Sequence, residues 1–255
     1  MTDQRGSTYI PRPAGFPSCS VCPLWKRDDP STCFDCVAAS VGIRMVVPRE
    51  SCEICSQATL DGQCRNVLCR SDRVISKIHA IARMTGPLGT RIKRYKYGEQ
   101  RERAWGRVFG RLVYTWLERN MLFDPPNIVV ANPTYVGPLG RHDFHHTELV
   151  LEHAASYDAL GTFSIDDGNP MSALTARHAT QQSAGGGWYD KRTAAIEHAN
   201  AIDIFALSDI RGKRVLVYDD VCTTGLQLDA IARVLLDAGA DQVEGLVLAR
   251  QEWNY

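Results

Sequence analysis

From residue 127 onward, short apolar runs alternate with stretches whose apolar residues recur at helical spacing. The short runs predict strands, and the spaced residues predict amphipathic helices. Alternating strands and helices are typical of parallel βαβ units, so the pattern predicts an α/β fold with a parallel sheet flanked by helices. The predicted strands are Asn127–Ala131, Ala201–Leu207, Arg214–Tyr218 and Gln242–Ala249, and the predicted helices are Phe144–Tyr157, Asp190–Ala199 and Leu226–Ala238.

The stretch before this alternation is predicted to be helical. Apolar residues along Asp72–Met84 fit one face of a helix that Ser71 would cap. The glycines and proline of Gly86–Gly89 are expected to end it, and a second helix is predicted over Arg101–Arg119. Asp124-Pro125-Pro126 then marks a linker.

The composition is that of an ordinary globular chain. Of 255 residues, 44% are hydrophobic and 23% are charged, which excludes general disorder and collagen-like repeats. No apolar run approaches the roughly 18 residues that a membrane span needs. The N-terminus also lacks the apolar stretch of a secretory signal. We therefore expect a soluble, cytoplasmic protein that does not insert into a membrane.

Eight of the nine cysteines lie between Cys19 and Cys69, and most of them form CxxC pairs. A cytosolic compartment keeps thiols reduced, which favours metal binding over disulfides. Four thiolates complete the tetrahedron of a zinc ion, and such closed sites are structural and not catalytic. The predicted ligands of one or two zinc ions are Cys19, Cys22, Cys33, Cys36, Cys52, Cys55, Cys64 and Cys69.

The sequence leaves open which cysteines share an ion. The simplest pairing places the first four in one site and the last four in another, and an interleaved arrangement also fits the spacing. Because this segment is short and proline-rich at its start, metal binding would supply most of its folding free energy. The chain is thus predicted to comprise a cysteine-rich zinc-binding module (1–70), a basic helical connector (71–119) and an α/β core (120–255).

The connector region is strongly basic. Residues 65–119 contain fourteen lysines and arginines against four acidic residues, whereas the whole chain is neutral. One interpretation is a solvated helical face with domain or subunit contacts. The other is a surface that meets phosphate, on a nucleotide or on nucleic acid. No helix-turn-helix or RNA-recognition signature accompanies the charge.

The most informative segment is Arg214–Leu226, where an apolar strand runs into two acids and a hydroxyl-rich turn opens a helix. Ligands of open α/β sheets bind at the carboxyl ends of strands, and amides entering a helix favour an anion. Thr223 and Thr224 add hydroxyl donors, and Gly225 allows close backbone approach. Paired carboxylates suit the vicinal hydroxyls of a sugar. The segment is therefore interpreted as a ribose 5-phosphate site.

Val215–Gly225 resembles the phosphoribosyl-pyrophosphate motif of type I phosphoribosyltransferases: four apolar residues, two acids, a two-residue spacer and Thr-Thr-Gly. More closely, the chain resembles the ComF-like family. That family combines an N-terminal cysteine-rich zinc module, a Lys-Tyr-Gly element (here Lys96-Tyr97-Gly98) and this C-terminal motif. The resemblance implies a type I phosphoribosyltransferase-like sheet behind a small zinc module.

The resemblance also implies roles for residues. Asp219 and Asp220 would hold the ribose hydroxyls, and the turn after them the 5-phosphate. Asn132-Pro133-Thr134 occupies the place of the pyrophosphate turn, and Gly185–Arg192 that of a mobile lid. Mg²⁺ and lid cations would stabilise the departing pyrophosphate. The implied catalytic residues are Asp219, Asp220, Lys191 and Arg192, and the implied substrate-binding residues are Asp219, Asp220, Val221, Cys222, Thr223, Thr224, Gly225, Asn132, Pro133 and Thr134.

Two functions follow from the resemblance. The first is a phosphoribosyltransferase that binds phosphoribosyl pyrophosphate, or a ribose 5-phosphate nucleotide, with Mg²⁺ and transfers phosphoribose to or from a nitrogenous base or amine. The second is a non-catalytic module that engages nucleic acid or a DNA-uptake or processing partner through the zinc module and connector. A homo-oligomer is compatible with either. A nucleoside-triphosphatase is disfavoured because no Walker A loop is present.

Some chemistry-bearing residues have a structural interpretation. Cys222 is interpreted as a space-filling residue, although a helix N-terminus can activate a thiol. The four histidines between residues 142 and 153 fit no standard metal spacing and are expected on the surface or in the core. For the aromatic pair Trp188-Tyr189, packing and stacking on a base are both compatible with the sequence.

Overall fold

The computed structural model describes residues 44–46, 48–168, 171–180 and 187–252. Within these ranges, strands and helices alternate along most of the chain. The strands are β1 (Arg44–Met45), β2 (Lys77–Arg83), β3 (Ile128–Ala131), β4 (Leu174–Ala176), β5 (Ile202–Ile204), β6 (Arg214–Cys222) and β7 (Gln242–Arg250). The α-helices are α1 (Gly86–Tyr97), α2 (Trp105–Met121), α3 (His146–Tyr157), α4 (Trp188–Asn200), α5 (Leu207–Ile210) and α6 (Leu226–Asp237), and short 3-10 helices cover Pro48–Glu50, Val67–Arg70 and Gln100–Ala104.

The main sheet has the strand order β1-β2-β7-β6-β3. Strands β2, β7, β6 and β3 are mutually parallel, and β1 adds a short antiparallel edge. Strands β4 and β5 form a separate antiparallel pair. Strand β3 is buried throughout and β6 nearly so, as is typical of parallel strands covered on both faces. The predicted α/β fold with a parallel sheet flanked by helices is confirmed.

Alternate residues of β6 enter two different cores, because successive side chains of a strand point to opposite faces. Leu216 and Tyr218 pack in one core with residues of α2 and α3, including Trp105. Val215 and Val217 pack in the other core with residues of α6. This double burial fixes the register of β6 and therefore the depth of the two acids near its end.

The helix predicted over Asp72–Met84 is wrong, since residues 77–83 form β2 and pair in parallel with β7. The apolar spacing that suggested a helix has another cause. Ile78 and Ile81 belong to opposite cores, so a strand buried on both faces reproduces spacings of three and four. Isoleucine also favours strands. Pairing with β7 then decides the structure.

The expected interruption at Gly86–Gly89 is also wrong, because these residues begin α1. Thr85 caps the helix by accepting a hydrogen bond from the Leu88 amide, and Pro87 fits the first turn. The helix predicted over Arg101–Arg119 is present from Trp105 to Met121, preceded by a 3-10 helix.

The remaining boundaries lie close to the predicted ones, with two exceptions. The strand predicted over Ala201–Leu207 is present only as β5. Strand β6 continues to Cys222, four residues past the predicted end at Tyr218, so both acids lie on the strand itself.

Residues 71–119 supply β2, α1 and most of α2, all of which pack with the main sheet or its helices. Among the described residues, no helix is both long enough and apolar enough to cross a membrane.

Candidate functional site

A cleft of about 510 Å³ opens where β3 and β6 end. It is lined by the turn after β3, the end of β6, the C-terminal end of α1 and one face of α4, and also by residues 139–142, the first turn of α3 and residues 178–180. Because β3 and β6 are adjacent and parallel, their carboxyl ends meet at the same edge of the sheet. Ligands of open α/β sheets bind at such edges. The cleft is therefore the candidate ligand site.

Asp219 and Asp220 form the floor of the cleft. They are 9% and 3% exposed, respectively, and both line the cavity. The Asn132 amide donates a hydrogen bond of 3.0 Å to Asp219 Oδ2, while the Asp220 backbone amide donates one of 2.8 Å to Asp219 Oδ1. The acids are thus held rigidly at the base of an open cavity and are not sealed in the core.

Lys96 reaches the same floor from the last turn of α1. Its Nζ lies 2.8 Å from Asp220 Oδ2, and His146 Nε2 lies 3.5 Å from the same oxygen. Burial alone would raise the pKa of Asp220, but the Lys96 ammonium and His146 outweigh it and lower that pKa to about 2. From the sequence, Lys96 is identified only as part of the Lys96-Tyr97-Gly98 element, and His146 is expected on the surface or in the core. No spacing in the sequence signals their contact with Asp220.

The pKa of Asp219 moves in the other direction. Burial, reinforced by the negative charge of Asp220, raises it to about 7, against the opposing effects of Lys96 and Asn132. The pair therefore carries about one negative charge below neutral pH and approaches two above it. Asp220 is the permanent anion and Asp219 is the group that titrates near neutrality.

We expect the stability difference between wild type and Asp219→Asn to depend on pH. The folded protein retains a proton that the unfolded chain releases, so the contribution of Asp219 to the free energy of unfolding is greatest below pH 4 and falls as pH rises to about 7. Asparagine removes this dependence. Urea unfolding at pH 5, 6, 7 and 8 should show Asp219→Asn gaining stability relative to wild type as pH rises. A difference that stays constant across the series would contradict this assignment.

The turn after β3 is held by the first turn of α3. Thr147 Oγ1 donates to the Asn132 carbonyl at 2.7 Å, and Thr134 Oγ1 lies 3.0 Å from both Thr147 Oγ1 and His146 Nδ1. The Thr134 amide donates to Glu148 Oε1 at 3.0 Å. Asn132, Pro133 and Thr134 all line the cleft. This network fixes the predicted pyrophosphate turn beside the acids.

The turn between β6 and α6 closes another side of the cleft. Val221 and Thr223 line the cavity, whereas Thr224 is buried behind them. Gly225 has a φ of +85° and precedes α6. A Cβ there would lie 2.7 Å from Ile78 Cδ1, so the turn is packed tightly from below and glycine is required.

Cys222 faces away from the cleft. It is 4% exposed, and its Sγ lies 3.2 Å from an Arg250 Nη1 that donates toward it. Burial raises the pKa of the thiol to about 11 despite the nearby guanidinium. This environment is that of a space-filling residue and not of an activated nucleophile.

Helix α4 presents Lys191 and His198 to the cleft, whereas Arg192 is exposed and stacks on the Trp188 ring at 5.5 Å. His198 Nε2 donates a 2.7 Å hydrogen bond to Asn132 Oδ1. Burial lowers the pKa of Lys191. Of the two predicted lid cations, the structure thus brings Lys191 into the site. Residues 185 and 186 of the predicted lid lie outside the described residues.

The aromatic and imidazole groups near the cleft were not predicted to be there. The Tyr97 and His142 rings stack with centroids 5.0 Å apart, and both residues line the cavity. Tyr97 is half exposed, so this stack forms part of the cleft wall. The predicted stacking candidates on α4 lie elsewhere: Trp188 packs against the core and Tyr189 is exposed.

Four cysteines converge beside β2, on a segment that hydrogen-bonds to Ile78 of that strand. Their sulfurs lie within 4.8 Å of one another, with Cys52–Cys69 at 3.7 Å and Cys55–Cys64 at 3.6 Å. Zinc–sulfur bonds of about 2.3 Å in a tetrahedron require sulfur separations of about 3.8 Å. The cluster is therefore compatible with a zinc ion. The other predicted ligands, Cys19, Cys22, Cys33 and Cys36, lie outside the described residues.

Comparison with models of protein families and with curated proteins finds no match for this chain. The functional conclusion therefore depends on the geometry of the cleft and on the motif that lines it.

Proposed function

We propose that the chain is a phosphoribosyltransferase-like protein of the ComF-like family, which binds phosphoribosyl pyrophosphate or a ribose 5-phosphate nucleotide and transfers phosphoribose to or from a nitrogenous base or amine. The observation that carries the proposal is the convergence of Asp219, Asp220, the Thr223 turn and the Asn132 turn on one open cleft. These are the groups that the motif assigns to ribose, phosphate and pyrophosphate.

In this proposal the acids accept hydrogen bonds from the ribose hydroxyls, and the turn at residues 223–225 donates to the 5-phosphate. Lys191 lines the cleft from α4 and provides positive charge for the diphosphate, whereas the charge of Lys96 is paired with Asp220. The stacked Tyr97 and His142 rings offer a flat surface for a planar acceptor.

The transfer breaks the bond between C1 of the ribose and the diphosphate oxygen, whose electron pair leaves with the diphosphate. The acceptor nitrogen forms the new bond to C1 and releases a proton. Because charge separates as the first bond breaks, the cation of Lys191 stabilises the leaving group and the acids stabilise the positive sugar. His142, whose pKa is lowered by burial and by Lys96, is neutral and lines the cleft as a proton acceptor.

In this proposal, Mg²⁺ would enter the cleft bound to the substrate. Within the described residues, the cysteine cluster is the one group of three or more histidine, cysteine or carboxylate side chains that converges as a metal site. Asp220 is already neutralised by Lys96. The diphosphate oxygens would therefore carry the ion into the cleft, where it would offset their charge.

The combined change Asp219→Asn and Asp220→Asn is expected to weaken binding of Mg²⁺-phosphoribosyl pyrophosphate by a factor of about 100. Asparagine keeps one acceptor oxygen but removes the charge, and hydrogen bonds to charged groups are about 1–1.5 kcal/mol stronger than neutral ones, so the two acids together account for about 2–3 kcal/mol. Isothermal titration calorimetry measures the effect. Asp209→Asn, which changes an exposed acid on α5, is the matched control and should bind as wild type does.

Equal affinity of the double variant and the control would rule the proposal out. Absence of binding to the wild-type protein would do the same.

The alternative of a nucleic-acid or partner-binding module draws on the basic stretch at residues 65–119. Several of those charges pair with acids of the same chain: Lys96 with the buried Asp220, and Arg83 and Arg103 with the more exposed Glu252 and Asp143. Part of the basic stretch thus holds α1 and β2 to other elements of the chain, and only the remainder is available to a partner. The enzyme proposal is therefore favoured.

A further inference from the structure

The cysteine cluster (Cys52, Cys55, Cys64 and Cys69) is joined to the main sheet by the segment that carries it. The Ile78 amide of β2 donates to the Ile54 carbonyl at 2.6 Å, and Ser56 Oγ donates to the Ile78 carbonyl at 2.7 Å. Cys55 is fully buried in the same core as Ile78. The position of the cluster is therefore linked to the sheet edge and not free to vary.

Asn66 lies between two of the cysteines and is fully buried. Its Oδ1 accepts a hydrogen bond of 2.8 Å from the Leu68 amide and so caps the 3-10 helix that carries Cys69. Its Nδ2 donates to Gln57 Oε1 at 2.9 Å and to the Thr223 carbonyl at 3.4 Å. One side chain thus contacts both the cysteine cluster's backbone and the turn proposed to bind phosphate.

Arg250, the last residue of β7, supports the same turn and is 1% exposed. Its Nη1 donates to the Cys222 carbonyl at 2.9 Å and also to the Thr223 carbonyl. Its Nη2 donates to Gln57 Oε1 at 3.1 Å. Gln57 therefore links the guanidinium to Asn66, and the Thr223 carbonyl accepts hydrogen bonds from both Asn66 and Arg250.

Packing reinforces these hydrogen bonds. Leu68 Cδ2 would lie 2.8 Å from a Cβ placed on Gly225, so the cysteine-bearing turn touches the phosphate turn directly. A zinc ion held by four thiolates also carries a net charge of about −2, which the buried Arg250 guanidinium offsets. The metal site and the turn therefore share one cation as well as one apolar contact.

We infer that Asn66 and Arg250 are positioning residues that couple the cysteine cluster to the turn at residues 222–225, so that metal occupancy of the cluster sets the affinity of the cleft for a phosphorylated ligand. The part of this inference that concerns affinity for a phosphorylated ligand rests on the proposed function, whereas the coupling of the cluster to the turn does not. Residues 51–69 contain little apolar core of their own, so without a metal the segment loses its fixed position. The Thr223 carbonyl and Gly225 then lose the contacts that hold the turn open to the cleft.

Asn66→Ser tests the coupling in the zinc-loaded chain of residues 1–255. Serine keeps an oxygen that caps the Leu68 amide but cannot reach the Thr223 carbonyl. We expect unchanged zinc content, about tenfold weaker binding of Mg²⁺-phosphoribosyl pyrophosphate and faster hydrogen exchange at residues 222–226. Asn120→Ser is the matched control, because the Asn120 amide bonds within α2 to the Trp116 carbonyl, outside both sites.

Removal of zinc by a chelator gives a second readout that needs neither a variant nor a ligand. Hydrogen exchange should speed up at residues 222–226, whereas α2 and α3 on the opposite face of the sheet should be unaffected. If wild type fails to bind the ligand, the proposed function fails while exchange still reports on the coupling. If wild type binds, and both Asn66→Ser and chelation leave the exchange of the turn unchanged, the inferred coupling is wrong.

Discussion

Cys55→Ser should lower the zinc content of the protein by one equivalent and destabilise residues 51–69 and the adjoining edge of β2. Cys55 is the fully buried member of the cluster, and a serine hydroxyl is a poor zinc ligand. Structural zinc contributes about 10–16 kcal/mol to the folding of small zinc-finger peptides. Metal analysis and thermal unfolding, each with and without a chelator, measure the two effects.

Cys222→Ser is the matched control for this prediction. Cys222 is also buried and shares a core with Cys55, but it lies outside the cluster. It should keep the full zinc content and show only the loss expected for a buried polar substitution, about 1–3 kcal/mol. A Cys55→Ser variant that retained the zinc content of Cys222→Ser would show that the cluster does not bind the metal.

Lys96→Met should destabilise the protein by about 3–5 kcal/mol, because it leaves the buried Asp220 carboxylate without its cation. The ammonium lies 2.8 Å from Asp220 Oδ2, and the Lys96 side chain is itself 19% exposed. Methionine replaces the aliphatic part of the lysine and removes only the charge. Urea unfolding at pH 7 measures the loss.

The double variant Lys96→Met with Asp220→Asn separates charge from packing. If the unpaired carboxylate is the cause, removing it should restore most of the lost stability, and the two changes should be strongly non-additive. Lys93→Met, an exposed position on the same helix, should stay within about 0.5 kcal/mol of wild type. Additive losses, or equal stability of Lys96→Met and Lys93→Met, would contradict the role given to Lys96.

The sequence predicts the α/β class and most of its elements because local apolar periodicity and turn residues agree there. It fails at residues 72–84, where a doubly buried strand and a helix produce similar apolar spacings. Strand β2 is fixed by its pairing with β7, in which Ile78 meets Gly245. No window of local sequence contains that partner.

For the site, the sequence identifies the segments that are contiguous. The acids, the hydroxyl-rich turn and the turn after β3 are all visible as motifs, and the cleft contains them together. The contacts between distant segments are not visible in the same way: Lys96 meets Asp220 across 124 positions, and Asn66 meets Thr223 across 157. Such pairs depend on how α1 and the cysteine-bearing turn pack on the sheet. Local apolar periodicity therefore does not predict them.

The placement of β2 beside β7 has a consequence for biosynthesis. The strand that follows the cysteine cluster is translated long before its parallel partner, which is made only when residues 242–250 are translated. Until then the nascent chain must carry β2 with its β7-facing edge unpaired, exposed to non-native pairing and to chaperones. Early capture of a metal by the neighbouring thiols would restrain that strand until its partner emerges.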